Sequence, residues 1–532
     1  MLLRTLATGM AVLVLAFQAG SVVKAEPLVS EPSPGAIDSA FRDAQLAAAP
    51  GSGAALAEGA ARVAAGDPAL RALLDESRSA EQQRRALDTV LASLRAQGAG
   101  AADRARGVAA DLERAVADSQ SARRRLTSSY PRFVDLTDPE PTSLAATQAL
   151  LHPNEALVMI LPSERGTYIW AVTTQDARWF RTDLDAAAVA TLSEALLESV
   201  RPGGGRGAVD AARPTRGDQP GEYARSTAWK LYSELWAPLA PLIQSVQTVY
   251  VVVDGPLRAV PPGILVTRAP KGRDGDPEAL RDTAWFARDH AFVQLPAVAS
   301  LRTVRLPSVT PGSGFAGFGD ARLQTYPEGS AGKALAPLPG TRRELQSLAR
   351  LFRADRHDLR LGDQATEQAL KTADLERVTV LALATHALPA DGQLRSEPAL
   401  VFTPPLNAEG DDDGFLTASE AAQLHLAANL VILSACDTAR DDPDASAINS
   451  LSRAFFHAGA RSLLVSNWRI RDDVAARLST DTLGIARRDS VILAEAARRA
   501  ALRMLSDRSD PTFSHPAQWA AFSVLGDGSV TF

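Results

Sequence analysis

Apolar and polar positions change rhythm along the 532-residue chain. Between residues 28 and 130 apolar residues recur three and four apart, as at Leu70, Leu73, Leu74 and at Leu87, Val90, Leu91, Leu94. That spacing predicts helices. Gly66-Asp67-Pro68 and Gly98-Ala99-Gly100 punctuate the region, so it reads as two or three long helices in a hairpin or small bundle. No self-similarity at the period of about 34 residues appears, so tetratricopeptide repeats are not predicted. The rhythm changes at Pro131. ALVMILPS (156–163), TYIWAVTT (167–174) and ARWFRTDL (177–184) follow closely on one another and predict sequential antiparallel strands. Helices are expected over 186–200 and 223–243, with a glycine-rich loop between them.

From residue 247 strands and helices alternate. The strands are TVYVVV, FAGFGD (315–320), VTVLALATHA (378–387), ALVFT (399–403), LVILSAC (430–436) and ARSLLVSNW (460–468). Helices are predicted at 341–352, 365–372, 417–426, 448–458, 471–486 and 490–506. Continuous apolar strands between helices predict a parallel sheet covered on both faces, an α/β fold. Thr417 and Glu420 have the spacing of a capping box.

Composition narrows the class. The chain is 46% hydrophobic and 22% charged with a net charge of −6, which argues against a nucleic-acid binder. Its N-terminus carries Arg4, an apolar run from Leu6 to Val23, and Val23 and Ala25 at the −3 and −1 positions of a cut after Ala25. This predicts a signal peptide over 1–25 and a periplasmic or secreted protein. No later run reaches the ~20 apolar residues of a spanning helix, so no membrane span is expected after cleavage. Gly312, Gly314 and Gly317 match GxGxxG but precede a strand. Gly332-Lys333 lacks the rest of a phosphate-binding loop, and neither HExxH nor GxSxG occurs. One cysteine builds no thiolate metal cluster, so neither metal nor cofactor is expected.

That cysteine, Cys436, follows LVILSA, and His386 follows VTVLALAT. Both lie at predicted carboxyl ends of strands, where ligands bind in such sheets. They are 436 − 386 = 50 residues apart, one crossover unit. A thiol needs a base or a cation beside it to act as a nucleophile near neutral pH, and imidazole supplies either. The pattern also fits a small buried cysteine and a surface histidine. His425 and His457 fall within predicted helices and read as structural.

The run ATHALPADG…LVFTPP…DDGFLTASEAAQLHLAANLVILSACDTA resembles the core of the CHAT family, in the caspase–separase superfamily of cysteine peptidases. LPGTRREL (338–345), ATEQALK (365–371), RAFFHAGARSLLVSNWRIRDD (453–473), HPAQWAAFSVLGD (515–527) and VVVDGPLRAVPPG (251–263) extend the likeness in order, over roughly 130–532. The resemblance implies a caspase-like, mostly parallel sheet flanked by helices, with an all-helical region before it. The expected divisions are 1–25, 26–130 and 131–532. Within the last, 131–245 holds the antiparallel strands and helices of a pseudo-protease-like half, and 246–532 the catalytic half.

The same resemblance implies roles. Cys436 attacks a scissile carbonyl, His386 protonates the leaving amine, and the backbone N–H groups of Cys436 and Ala387 form the oxyanion hole. The family usually has Gly where this chain has Ala387, so a positive φ there would strain the site. Asp437, Asp441 and Asp473 are candidates for an acidic S1 pocket favouring Arg or Lys; a solvated acidic loop is the plainer reading. The implied partners are a protein or peptide substrate and a protein bound by the N-terminal helices. Two other readings stay open: a non-catalytic caspase-like scaffold, and a latent enzyme activated by a partner.

Overall fold

The computed structural model describes residues 34–48, 68–96, 101–130, 140–201, 221–305, 313–323, 337–390, 397–405, 412–434, 446–468 and 470–532, with Val134 and Leu335 besides. The signal-peptide segment and the loop at 202–220 lie outside them.

Among the described residues the N-terminal region holds α1 (Pro34–Ala47), α2 (Pro68–Ala96) and α3 (Ala102–Ser129). Pro68 opens α2, where a missing N–H breaks no helical bond. The pair α2–α3 is an antiparallel hairpin: Arg125 pairs with Glu76, Ser119 Oγ donates to Glu81 Oε2 at 3.1 Å, and Leu70, Leu74 and Leu126 are buried. Arg123 donates to Glu140 at 2.8 Å, so Arg123, like Arg125, holds an ion pair. Helix α1 belongs elsewhere. Phe41 is fully buried with its ring 5.4 Å from Trp170, and Asp38 Oδ1 accepts the Leu144 N–H at 2.7 Å. It docks on the sheet.

The sheet begins with β1 (Glu155–Ser163), β2 (Gly166–Thr173) and β3 (Ala177–Thr182), antiparallel as their sequences predict. Helix α4 (Ala186–Val200) follows, capped by Asp185. The helix expected over 223–243 is divided. Its first part is α5 (Arg225–Leu235); a 3₁₀ turn at Ala237–Leu239 and a short helix at Ala240–Ile243 follow. Pro238 and Pro241 each lack the N–H that would continue it.

Next come β4 (Thr248–Val253), β5 (Ala291–Gln294), β6 (Gly314–Gly319), α6 (Pro339–Ala349), β7 (His357–Leu361), α7 (Glu367–Lys371) and β8 (Val378–Ala384). Three short strands follow, β9 (Ala387–Leu388), β10 (Ala399–Val401) and β11 (Phe415–Thr417). The chain closes with α8 (Ala418–Gln423), β12 (Leu430–Leu433), α9 (Ser446–Ala458), β13 (Ser462–Ser466), α10 (Asp472–Asp489), α11 (Leu493–Ser506) and β14 (Phe522–Gly526). The Thr417–Glu420 capping box forms. His425 lies beyond the end of α8 and is exposed, contrary to its expected helical position.

Eleven strands make one sheet, ordered β3-β2-β1-β4-β5-β14-β13-β12-β8-β6-β7. It is mostly parallel; β1–β2, β2–β3 and β13–β14 are the antiparallel neighbours. The strands before and after residue 246 therefore share a single sheet through β1–β4. The segment ALVFT departs from expectation: β10 leaves the main sheet and forms a separate antiparallel one, ordered β11-β10-β9.

Alternation sorts the strands onto two faces. One apolar core runs beneath both halves, joining Leu157, Met159 and Tyr250 to Val380, Ile432 and Leu464, with Leu345 and Leu348 of α6 and Leu483 of α10 packed on them. The other face carries two cores. Leu196 and Leu231 cover β1 and β4 there, and Leu451 and Phe455 of α9 cover Leu381 and Val431. Among the described residues no helix is long and apolar enough to cross a membrane.

Candidate catalytic site at the ends of the central strands

Strands β8 and β12 are parallel neighbours, with Leu383 paired to Leu433. The Ser434 N–H continues the ladder, donating to Leu383 O at 3.0 Å. His386 lies three residues beyond Leu383, and Cys436 three beyond Leu433. Adjacent strands are about 4.8 Å apart, so the strand ends at Leu383 and Leu433 lie side by side. His386 is described and buried, at 7% exposure. Cys436, Asp437 and Asp441 lie outside the described residues.

The β9 ladder orients Ala387. The Val401 N–H donates to His386 O at 2.9 Å, and Ala387 is paired with Leu400. In an antiparallel ladder hydrogen-bonded and non-hydrogen-bonded pairs alternate. His386–Val401 is bonded, so Ala387–Leu400 is not, and the Ala387 N–H points away from β10. Strand β9 is the edge of its sheet, which leaves that N–H aimed out of the ladder. Ala387 has no positive φ. Among the described non-glycine residues only Asp320 (54°) and Ser490 (50°) do. The strain feared for an alanine at this position is absent.

Asp473 is accounted for differently. It sits in the first turn of α10, where Arg471 holds it in a two-pronged pair at 3.0 and 2.7 Å.

Pattern reading missed a set of polar groups gathered at the same sheet edge by the first turns of α6. The Gly340 N–H donates to Asp472 Oδ2 at 3.0 Å. A Cβ on Gly340 would lie 2.2 Å from the Asp472 Cβ, so only glycine permits this approach of α6 to α10. Thr341 Oγ1 accepts the Asp320 N–H at 3.0 Å, and Arg342 Nε donates to Asp320 Oδ2 at 2.8 Å. Glu344 is 2% exposed; its Oε1 accepts from Ser479 Oγ at 2.8 Å, and its carboxyl also bonds the Ser434 side chain. Burial pushes the Glu344 carboxyl up to about 7; the two hydroxyls oppose that shift and the Asp472 carboxylate adds to it. A signal for Glu344 did exist. It shares the 344, 345, 348, 349, 352 stripe with Leu345, Leu348, Ala349 and Phe352, and a charge on an apolar stripe marks a buried polar group.

A second cluster anchors the small sheet. Lys371 Nζ contacts Glu367 at 2.6 Å, Glu420 at 2.8 Å and Asp412 at 3.1 Å. Glu367 also accepts the Gly414 N–H at 2.9 Å, and burial pushes its carboxyl up to about 7. These contacts tie α7 to β11 and α8. Among the described residues no three His, Cys, Asp or Glu side chains gather to hold a metal ion.

The CHAT domain family model matches residues 225–527. The chain belongs to the CHAT-domain family, and its fold is the mostly parallel sheet flanked by helices, after an all-helical region, that was expected. Tetratricopeptide repeat protein 28 of Mus musculus and of Homo sapiens are each 32% identical over 111 residues. That match covers 21% of this chain and 4% of theirs. Two crystal structures of the Saccharomyces cerevisiae separase–securin complex align at TM-scores of 0.41 and 0.40 with 10% and 9% identity. They cover 78% and 76% of this chain, and 34% and 31% of those chains are covered in return.

Proposed function

We propose that this chain is an exported cysteine endopeptidase working through His386 and Cys436. The observation that carries the reading is the Leu383–Leu433 register: His386 is buried three residues past Leu383, and the sequence reaches Cys436, the chain's one cysteine, three residues past Leu433. Cys436 gives its thiol proton to His386 and its Sγ adds to the scissile carbonyl carbon, so negative charge develops on the carbonyl oxygen. The outward Ala387 N–H and the Cys436 N–H receive it. The tetrahedral intermediate then breaks its C–N bond, and His386 gives the departing nitrogen a proton. Water, deprotonated by His386, hydrolyses the thioester and restores the thiol. The carbonyl bond of His386 to Val401 N–H holds the backbone that positions both the imidazole and the Ala387 donor.

For S1, Asp437 and Asp441 support a preference for Arg or Lys. Asp473 contributes less, because Arg471 already meets its charge. Export rests on the apolar run of residues 6–23 and the small residues before position 26. The α2–α3 hairpin packs chiefly on itself, which supports a second role for it as a partner-binding arm; a pure scaffold would use that arm and dispense with the thiol.

The test is covalent labelling of the mature protein by a peptide electrophile with Arg next to the reactive carbonyl, read by intact mass. One adduct on wild type, none on Cys436→Ala and labelling slowed about a hundredfold on His386→Ala are expected. A folded wild type that stays unlabelled by Arg and non-Arg electrophiles alike would sink the reading.

A further inference from the structure

The mechanism above leaves Glu344 unused. We propose that Glu344 is a positioning residue for the thiol: through Ser434 it fixes the end of β12, and so the point from which the chain reaches Cys436. This deepens the peptidase reading and rests on it.

A carboxyl at 2% exposure on the packed face of α6 is costly, and a leucine there would serve packing alone better. The side chains of Ser479 and Ser434 give it hydroxyl hydrogen bonds. Ser479 lies in α10 and Ser434 at the end of β12. Ser434 is thereby held twice, its N–H by Leu383 O and its side chain by Glu344, and it is 5% exposed. Two residues reach at most about 7 Å, so fixing Ser434 fixes the origin of the segment that bears Cys436.

The charged groups around Glu344 come from each neighbouring element. The Asp472 carboxylate of α10 faces it and is itself bound to the Gly340 N–H. Asp320, at the end of β6, is taken by Arg342. In β7, Asp358 and Arg360 pair with each other at 2.7 Å. Strand β8 is apolar from Val380 to Ala384 and brings no charge.

The arrangement has a consequence that simple packing lacks. An ionised Glu344 accepts from both serines; a protonated one must donate, and one hydroxyl has to turn. With the carboxyl pushed to about 7 by burial, that exchange falls in the range where thiol reactivity is measured.

Iodoacetamide alkylation of the full mature protein reads this without any peptide substrate, because Cys436 is the one cysteine in the chain. Rates would be followed from about pH 5 to about pH 9 for wild type, Glu344→Gln and Ser434→Ala. The expected wild-type profile has a limb near 7 from Glu344 beyond that of the thiol. Both variants lose that limb, and at neutral pH their rates differ from wild type by about tenfold. Variants that melt like wild type and keep its profile would overturn the proposal. If Glu344→Gln does not fold, Ser434→Ala decides alone by the same criterion. Peptide cleavage measured in parallel separates the two readings: a wild type that never cleaves defeats the peptidase, while the alkylation profiles still judge Glu344.

Discussion

Ala387 is the residue at which a family pattern and this chain part. Its N–H is aimed out of the β9 ladder and its φ is ordinary, so the donor survives the exchange of glycine for alanine. Ala387→Gly is therefore expected to change kcat/KM for a peptide substrate by less than about threefold, whereas Ala387→Pro, which has no N–H, is expected to remove at least about a hundredfold. Glu344 allows a stability prediction. Its folded pKa, about 7, lies above the ordinary 4.5, so between these values the folded state holds a proton that the unfolded state has released. Stability is full below 4.5 and falls as pH rises toward 7. The loss is on the order of 3 kcal/mol. Urea unfolding at pH 5 and pH 8 checks this: wild type weakens across the interval, and Glu344→Gln weakens less.

Among the elements, what could be read in advance depended on length and repetition. The β1–β3 meander and α4 carry enough alternation to be placed within a residue or two. The β8–β12 pairing was legible because two apolar runs of similar length, one crossover apart, have few ways to pair in a parallel sheet. Strands of two or three residues, as in β9, β10 and β11, hold less than two periods of alternation, so pattern alone could not tell their sheet from the main one. Glu344 was visible as a charge on an apolar stripe, but its partners Ser434 and Ser479 lie 90 and 135 residues away in the chain, a separation that local pattern does not encode. The small sheet matters because it carries Ala387. Burial works against the Lys371 charge, yet hydrogen bonds to Glu367, Glu420 and Asp412 outweigh it and raise its pKa. Lys371→Met would leave Glu367, 1% exposed, without its cation. With Lys371 itself a quarter exposed, a loss of about 2 kcal/mol is expected. Amide exchange should show it first around β11 and α8.

At the scale of the molecule, the eleven-stranded sheet makes the halves on either side of residue 246 one structure. The helical region before residue 131 is not uniform either. The α2–α3 hairpin is largely self-contained, whereas α1 seals the sheet through Phe41. A chain beginning at residue 131 is expected to lose about 3 kcal/mol in urea unfolding, and Phe41→Ala in the full chain should reproduce most of that loss. Equal stability of the truncated and full chains would mean that α1 adds nothing to the core.

The measurement closest to the central claim is cleavage of a peptide library, varied at the residue before the scissile bond, by the mature protein and by Cys436→Ala and His386→Ala. Cleavage by wild type, enriched after Arg or Lys and absent from both variants, is the predicted result. Cleavage that persists in Cys436→Ala, or a folded wild type that cuts nothing even with a protein bound to α2–α3, would contradict a His386–Cys436 peptidase.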